Sequence, residues 1–190
     1  MSVNIRIDDK ELKKAVAKLS GFPKEIPKAT SAALNRTITS VTKAIKKEVT
    51  SKYSIKSGEV AKTFKIRKAS NGSLSAIIDS RGQVLTLSHF PSNLKSGWAG
   101  KAPVKVKVKR SGYKQVNTTP GAFVASLGGN LHIVKRKTSK SYPIEVLRTL
   151  SIPQMISNTE ISEKVMKNAG EQLQKRIGHE VEYRLDKLSK

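Results

Sequence analysis

The sequence predicts an α+β protein, with a small, mainly antiparallel β-sheet flanked by an N-terminal helix pair and a long C-terminal helix. Three observations point there. Towards both ends, apolar residues recur at three- and four-residue steps, which gives a helix one buried face. Between them, apolar and polar residues alternate, the period of a half-buried strand. That central stretch, Ser80 to Ile144, carries twelve Lys and Arg and no Asp or Glu. A length of 190 residues suits one domain with a real core. Residues 1–55 would supply an N-terminal strand and helices, 56–153 a basic β-rich core and 154–190 the C-terminal helix.

In chain order, Val3, Ile5 and Ile7 alternate with Asn4 and Arg6 and predict a short opening strand. Asp8 and Glu11 form a capping-box-like pair for a first helix with Leu12, Val16 and Leu19 on its apolar stripe and Gly21 at its end. After a linker from Phe22 to Pro27, a longer helix runs from about Lys28 to Tyr53. Ala33, Leu34, Ile38, Val41, Ala44, Ile45 and Val49 mark its buried face, and Lys43, Lys46, Lys47 and Lys52 its cationic one. Gly58 to Lys62 reads as a helical turn. Asn71-Gly72, between Phe64–Arg67 and Leu74–Ile78, is the hairpin dipeptide of choice.

Strands continue at Val84–Leu87, and a loop from Pro91 to Lys101 holds the single Trp98. Val104, Val106 and Val108 alternate with Lys105, Lys107 and Lys109, so one face is apolar and the other wholly cationic. Ser111-Gly112 makes a turn. Ala122–Leu127 and Leu131–Val134 form a strand pair across Gly128-Gly129-Asn130, and Ile144–Leu150 is the last strand. Ser157 to Glu160 reads as a capping box for the closing helix. Its stripe of Ile161, Val165, Ala169, Leu173, Ile177, Val181 and Leu185 steps by four, with a break expected near Gly178.

The formal charge of +23 is extreme for this size and unevenly placed. Residues 1–79 carry 17 bases against 7 acids, whereas residues 145–190 carry 8 against 7. The near-neutral C-terminal quarter is therefore expected to meet protein and the rest a polyanion. With no cysteine there is no disulfide scaffold and no thiolate metal site. The first residues lack an apolar signal region, and no window approaches the roughly 18 apolar residues of a membrane span, so the expectation is a soluble protein made in the cytoplasm.

Nothing in the pattern assembles an enzyme. His89, His132 and His179 have no metal-ligand spacing, Gly128-Gly129 lacks the Lys-Ser/Thr that follows in a phosphate cradle, and the acid-free centre lacks carboxylates for magnesium. No catalytic residue, cofactor or metal is expected. A nucleic-acid contact is the natural competitor, but Lys outnumbers Arg and aromatics are few, so such contact would be blind to sequence. The alternative reading of the lysine strand is a solubilising face that guards a sheet edge.

Pro120-Gly-Ala-Phe-Val, then Gly129-Asn-Leu-His-Ile-Val-Lys-Arg, Tyr142-Pro-Ile-Glu-Val and Ile152-Pro153 follow one another in an order that resembles the minor tail protein Z family of long-tailed bacteriophages. Ala32-Ala-Leu-Asn35-Arg36 is similar to that family's N-terminal helix phrase. The resemblance implies a structural virion protein that completes the tail at its head-proximal end, supports head–tail joining and assembles as a homo-oligomeric ring, commonly sixfold, around the DNA channel. It implies tail-tube, tail-terminator or neck proteins as partners, non-specific contact with genomic DNA, and no membrane. Within this picture Lys105, Lys107, Lys109 and Arg110 are the first electrostatic contacts, and Lys135, Arg136 and Lys137 the second. Pro120, Gly121, Ala122 and Phe123 are expected to fix strand geometry, through unusual backbone at Gly121 and a core-filling Phe123; Tyr142 and Pro143 belong to the same structural motif. Asn35 and Arg36 belong either to a subunit contact or to an ordinary helix face.

Overall fold

A computed structural model describes residues 17–93, 103–119 and 121–189. The expected opening strand and most of the first helix, the loop bearing Trp98, and Pro120 lie outside the described residues. Two helices form the spine: α1, Glu25–Lys52, and α4, Thr159–Leu188. Helix α1 buries Leu34, Ile38, Val41, Ile45 and Val49, and α4 buries Ile161, Val165, Ala169, Leu173, Ile177 and Val181. Both rows step by about four residues, so each helix presents an i±4 ridge to the other. Ala44, expected on the buried face, is half-buried.

The pair runs antiparallel, because ion pairs join opposite ends. Arg184 reaches Glu25 at 2.6 Å, Arg36 reaches Glu180 at 3.0 Å, and Lys52 reaches Glu160 at 2.6 Å. Glu180 is 3% exposed, and its contact with Arg36 is off the hydrogen-bond direction, so it is held by charge more than by a directional bond. The near-neutral C-terminal segment thus spends its apolar stripe on α1 of its own chain.

Between the two helices, the described residues form short α2 (Ser57–Lys62), nine short strands and α3 (Ile152–Ile156). These described strands make four small antiparallel sheets. β1 (Phe64–Arg67) pairs β2 (Ile77–Ser80), and β3 (Val84–Thr86) pairs β9 (Arg148–Ser151). β4 (Lys105–Val106) pairs β5 (Lys114–Gln115), and β6 (Phe123–Leu127), β7 (Asn130–Arg136) and β8 (Ile144–Val146) form the one three-stranded sheet of the described residues.

The strand expected over Ile144–Leu150 divides at Leu147. The Leu147 N–H donates to Ile133 on one side, and its carbonyl accepts from Leu87 on the other, both at 2.9 Å. The chain therefore leaves the β7 ladder and joins β3 within one residue. Immediately afterwards, a helix that sequence reading did not foresee packs Ile152, Pro153, Met155 and Ile156 into the core. Its capping box is Ser151 with Gln154: the Ser151 N–H donates to Gln154 Oε1 at 2.8 Å, and the Gln154 N–H donates to Ser151 Oγ at 3.3 Å.

The capping box expected at Ser157 does not form. Asn158 is the N-cap of α4 and makes no side-chain cap; its Oδ1 accepts from Lys52 Nζ at 2.8 Å instead. Helix α4 also runs unbroken through Gly178, because burial on α1 outweighs a glycine cost of about 1 kcal/mol.

Candidate functional site

The described residues enclose a notable cleft where α1 ends. The helix stops at Lys52 as Tyr53 turns to extended backbone, which leaves carbonyls of the last turn without helical partners. The basic hairpin β4–β5 supplies them. The Arg110 N–H donates to Lys52 at 2.9 Å and Arg110 Nε donates to Thr50 at 2.6 Å. Ser54 N–H donates back to Val108 at 2.9 Å, and Lys107 N–H donates to Pro91 at 2.8 Å. Val104 and Val106 are buried beneath the hairpin while Lys105 and Lys109 face solvent, so the alternation read from sequence is present over those residues.

Pairing of Lys105 with Gln115 and of Val106 with Lys114 places Lys107 across from Tyr113. The Lys107 ammonium lies over the Tyr113 ring, 5.9 Å from its centre, and the ring stays 52% exposed. Ser54, Ile55, Lys56 and Glu59 form one wall of the cleft, His89, Phe90 and Pro91 a second, and Lys107, Arg110 and Tyr113 a third. Its volume is about 590 Å³. Glu59 is hydrogen-bonded to His89 Nε2, and Arg110 spends its Nε on Thr50. Lys56 and Lys107 have no carboxylate partner among the described residues. The cleft is thus a fixed, net-cationic concavity with an aromatic ring on its lip. No group of three His, Cys, Asp or Glu able to hold a metal occurs among the described residues.

A family model described as prophage minor tail protein Z (GPZ) matches residues 10–190. The chain belongs to that family. Neither the curated proteins nor the solved structures give a match. Membership of the minor tail protein Z family makes this a phage minor tail structural protein. No helix of the described residues is long and apolar enough to cross a membrane.

The basic residues singled out in this minor tail protein fall on two separate sheets or their connecting turns. Lys107 and Arg110 line the cleft, and Lys105 and Lys109 stand beside it on the hairpin. Lys135 and Arg136 end β7, in another sheet, and Lys137 follows them. There Lys135 pairs with Glu145 at 3.6 Å, Arg136 lies over Phe123 at 4.8 Å, and the Lys137 N–H donates to Pro143 at 3.0 Å. Phe123 is half-buried under that guanidinium and does not fill the core. Gly121 has open space where a Cβ would stand, so no close approach there requires glycine; Ala122 packs partly against the core. Tyr142 is 74% exposed, joined to Pro143 by a cis peptide bond.

Asn35 and Arg36 are both occupied within the chain. Asn35 clamps the backbone of Ala69, and Arg36 pairs with Glu180. Sequence reading missed Lys56, Glu59, His89 and Tyr113. Tyr113 was only partly legible: a two-residue turn at Ser111-Gly112 sets it opposite Arg110, another cation of the cleft, whereas the observed register centres on Arg110 and sets it opposite Lys107. The others come from segments 30 residues apart at Glu59 and His89, which no local pattern brings together.

Proposed function

We propose that this minor tail protein completes the phage tail at its head-proximal end and supports head–tail joining, assembling as a ring, hexameric in the simplest case, around the DNA channel. It works by assembly and not by catalysis, and its place is the tail of the virion. The family match over residues 10–190 carries the reading. The division of the molecule supports it. The apolar stripes of α1 and α4 are satisfied against each other, which leaves the cationic hairpin and its cleft to face a neighbour. Tail-tube, tail-terminator or neck proteins are the natural occupants, with genomic DNA touched without sequence preference.

Deleting the gene from its phage or prophage and examining particles by electron microscopy with an infectivity titre tests this. Separate heads and tails are the expected outcome. Joined but non-infectious particles would move the role to DNA positioning or release, and normal infectious particles would overturn the reading. A second reading rests on the unpaired Lys105, Lys107 and Lys109: a sequence-independent nucleic-acid binder acting through its lysine-rich hairpin. Tight duplex binding by the isolated chain, with a steep salt slope and no ring, would favour that one.

A further inference from the structure

We infer that the cleft between the end of α1 and the β4–β5 hairpin receives an acidic peptide segment of a neighbouring protein, a carboxylate flanked by an aromatic or aliphatic side chain. This deepens the tail-completion reading by naming what the neighbour presents. Three cationic side chains line the cleft, Lys56, Lys107 and Arg110, against one carboxylate, Glu59, which His89 already engages. An incoming carboxylate therefore meets uncompensated positive charge.

The walls are pre-set. The backbones of Arg110, Ser54 and Lys107 are tied by hydrogen bonds across three segments, so little backbone ordering remains to oppose binding. The cleft also has an apolar component in Ile55, Phe90, Pro91 and the exposed Tyr113 ring, which suits a side chain beside the acid. Nucleic acid fits less well. A duplex carries its phosphates on the outside of a stiff cylinder and meets broad basic surfaces. A single strand binds on successive aromatic platforms, and Tyr113 is the one exposed ring lining this cleft. Glu59 in the wall repels a chain of evenly spaced phosphates, while a peptide can set its apolar residue there and its acids against the lysines.

The test is fluorescence anisotropy on the full chain with a labelled Glu-Asp-Phe-Glu-Asp-Leu peptide. Its Gln/Asn counterpart serves as control, and a thymidine oligonucleotide and a short duplex as competitors. Lys56→Gln with Lys107→Gln is expected to weaken peptide binding by about tenfold. The same charge loss on the exposed face of α1, Lys43→Gln with Lys47→Gln, is expected to change it by less than about twofold. Tyr113→Ala weakens it, and Tyr113→Phe, which keeps the ring, restores it. Melting temperatures verify that each variant is folded. Equal losses in both lysine pairs would mean diffuse charge and overturn the inference. So would binding that ignores the acids of the peptide, or oligonucleotides that bind more tightly than the peptide and lose more affinity in the cleft variant. Any of these results leaves the particle-based test of tail completion untouched, so the two readings fail separately.

Discussion

Asn35 commits both ends of its side-chain amide to one residue: Nδ2 donates to the Ala69 carbonyl at 2.9 Å, and Oδ1 accepts from the Ala69 N–H at 2.8 Å. Nearby, Ser31 Oγ donates to Asn71 Oδ1 at 3.2 Å, so two side chains on α1 hold the loop between β1 and β2. Asn35→Ala strands a backbone donor and acceptor together and is expected to cost about 1–3 kcal/mol, measured by urea unfolding, with faster hydrogen exchange at Ala69. An unchanged midpoint would mean that water replaces the clamp. Glu160 gives a second residue-level prediction. Hydrogen bonds from Lys52 and then Lys164, with their charges, lower its carboxyl to about 2. Because the folded value is depressed, the pair's contribution is fully present above the ordinary carboxylate range and is lost as pH falls towards 2. Glu160 stands largely in solvent, which keeps that contribution small, so titration is the better readout. A carbon-detected NMR titration should find its midpoint near 2, and Lys52→Ala and Lys164→Ala should each raise it. A midpoint in the ordinary range would show that neither lysine is held in place.

Two hairpins show what element-scale patterns carry. Asn71-Gly72 does mark a tight turn, since Ser70 and Ser73 exchange hydrogen bonds at 2.9 and 3.1 Å. Neither residue has the positive φ of the hairpin turns that match strand twist, and the full ladder resumes only at Arg67 and Ile77. Gly128 and Gly129 do have it, at φ 57° and 78°, joining Leu127 to Asn130 by a two-residue loop. Gly128→Ala and Gly129→Ala should therefore each destabilise by about 1–2 kcal/mol. Gly72→Ala, with ordinary φ and no atom within 4 Å, should be close to neutral. Equal costs at all three would refute the assignment. Helix α4 predicts the opposite sign: Gly170 and Gly178 are exposed with open space at the Cβ position, so each change to Ala should stabilise by about 1 kcal/mol in chemical denaturation. These contrasts also mark the limits of local reading. The helices were legible because their apolar stripes repeat, and the Lys–Val alternation because β4 lies on a buried face. Leu147 was not, because a residue that serves two ladders looks, in one dimension, like the middle of a single strand. Asn158 was misassigned because Lys52, 106 residues away, competes for its side chain. The cleft was half legible, with Lys107 and Arg110 supplied by pattern and Lys56, Glu59 and His89 by tertiary folding alone.

Across the whole molecule, 37 bases face 14 acids, and among the described residues Lys and Arg pair with Glu25, Asp79, Glu145, Glu160 and Glu180. Arg184–Glu25, Arg36–Glu180 and Lys52–Glu160 lie along the seam of α1 and α4, where they fix the antiparallel register of two otherwise similar apolar ridges. Salt acts on these pairs and on the net charge in opposite directions. Exposed pairs contribute about 0–1 kcal/mol each and weaken with salt, whereas Glu180, 3% exposed, is shielded from it. Repulsion among the surplus cations is long-ranged, and a Debye length of about 10 Å at 0.1 M suppresses most of it. With a formal charge of +23 the repulsive side is the larger, so added salt should stabilise the isolated chain. Raising sodium chloride from about 20 mM to about 300 mM is expected to lift the melting temperature by about 3 °C or more, read by circular dichroism. A flat or falling melting temperature would mean that the seam pairs outweigh the net charge. Combining Lys43→Gln with Lys47→Gln separates the two effects further, because it removes surplus charge without touching a seam pair and should reduce the salt dependence. The same argument bears on assembly: a chain that repels itself in dilute buffer gains stability wherever a neighbour supplies carboxylates to its cationic hairpin.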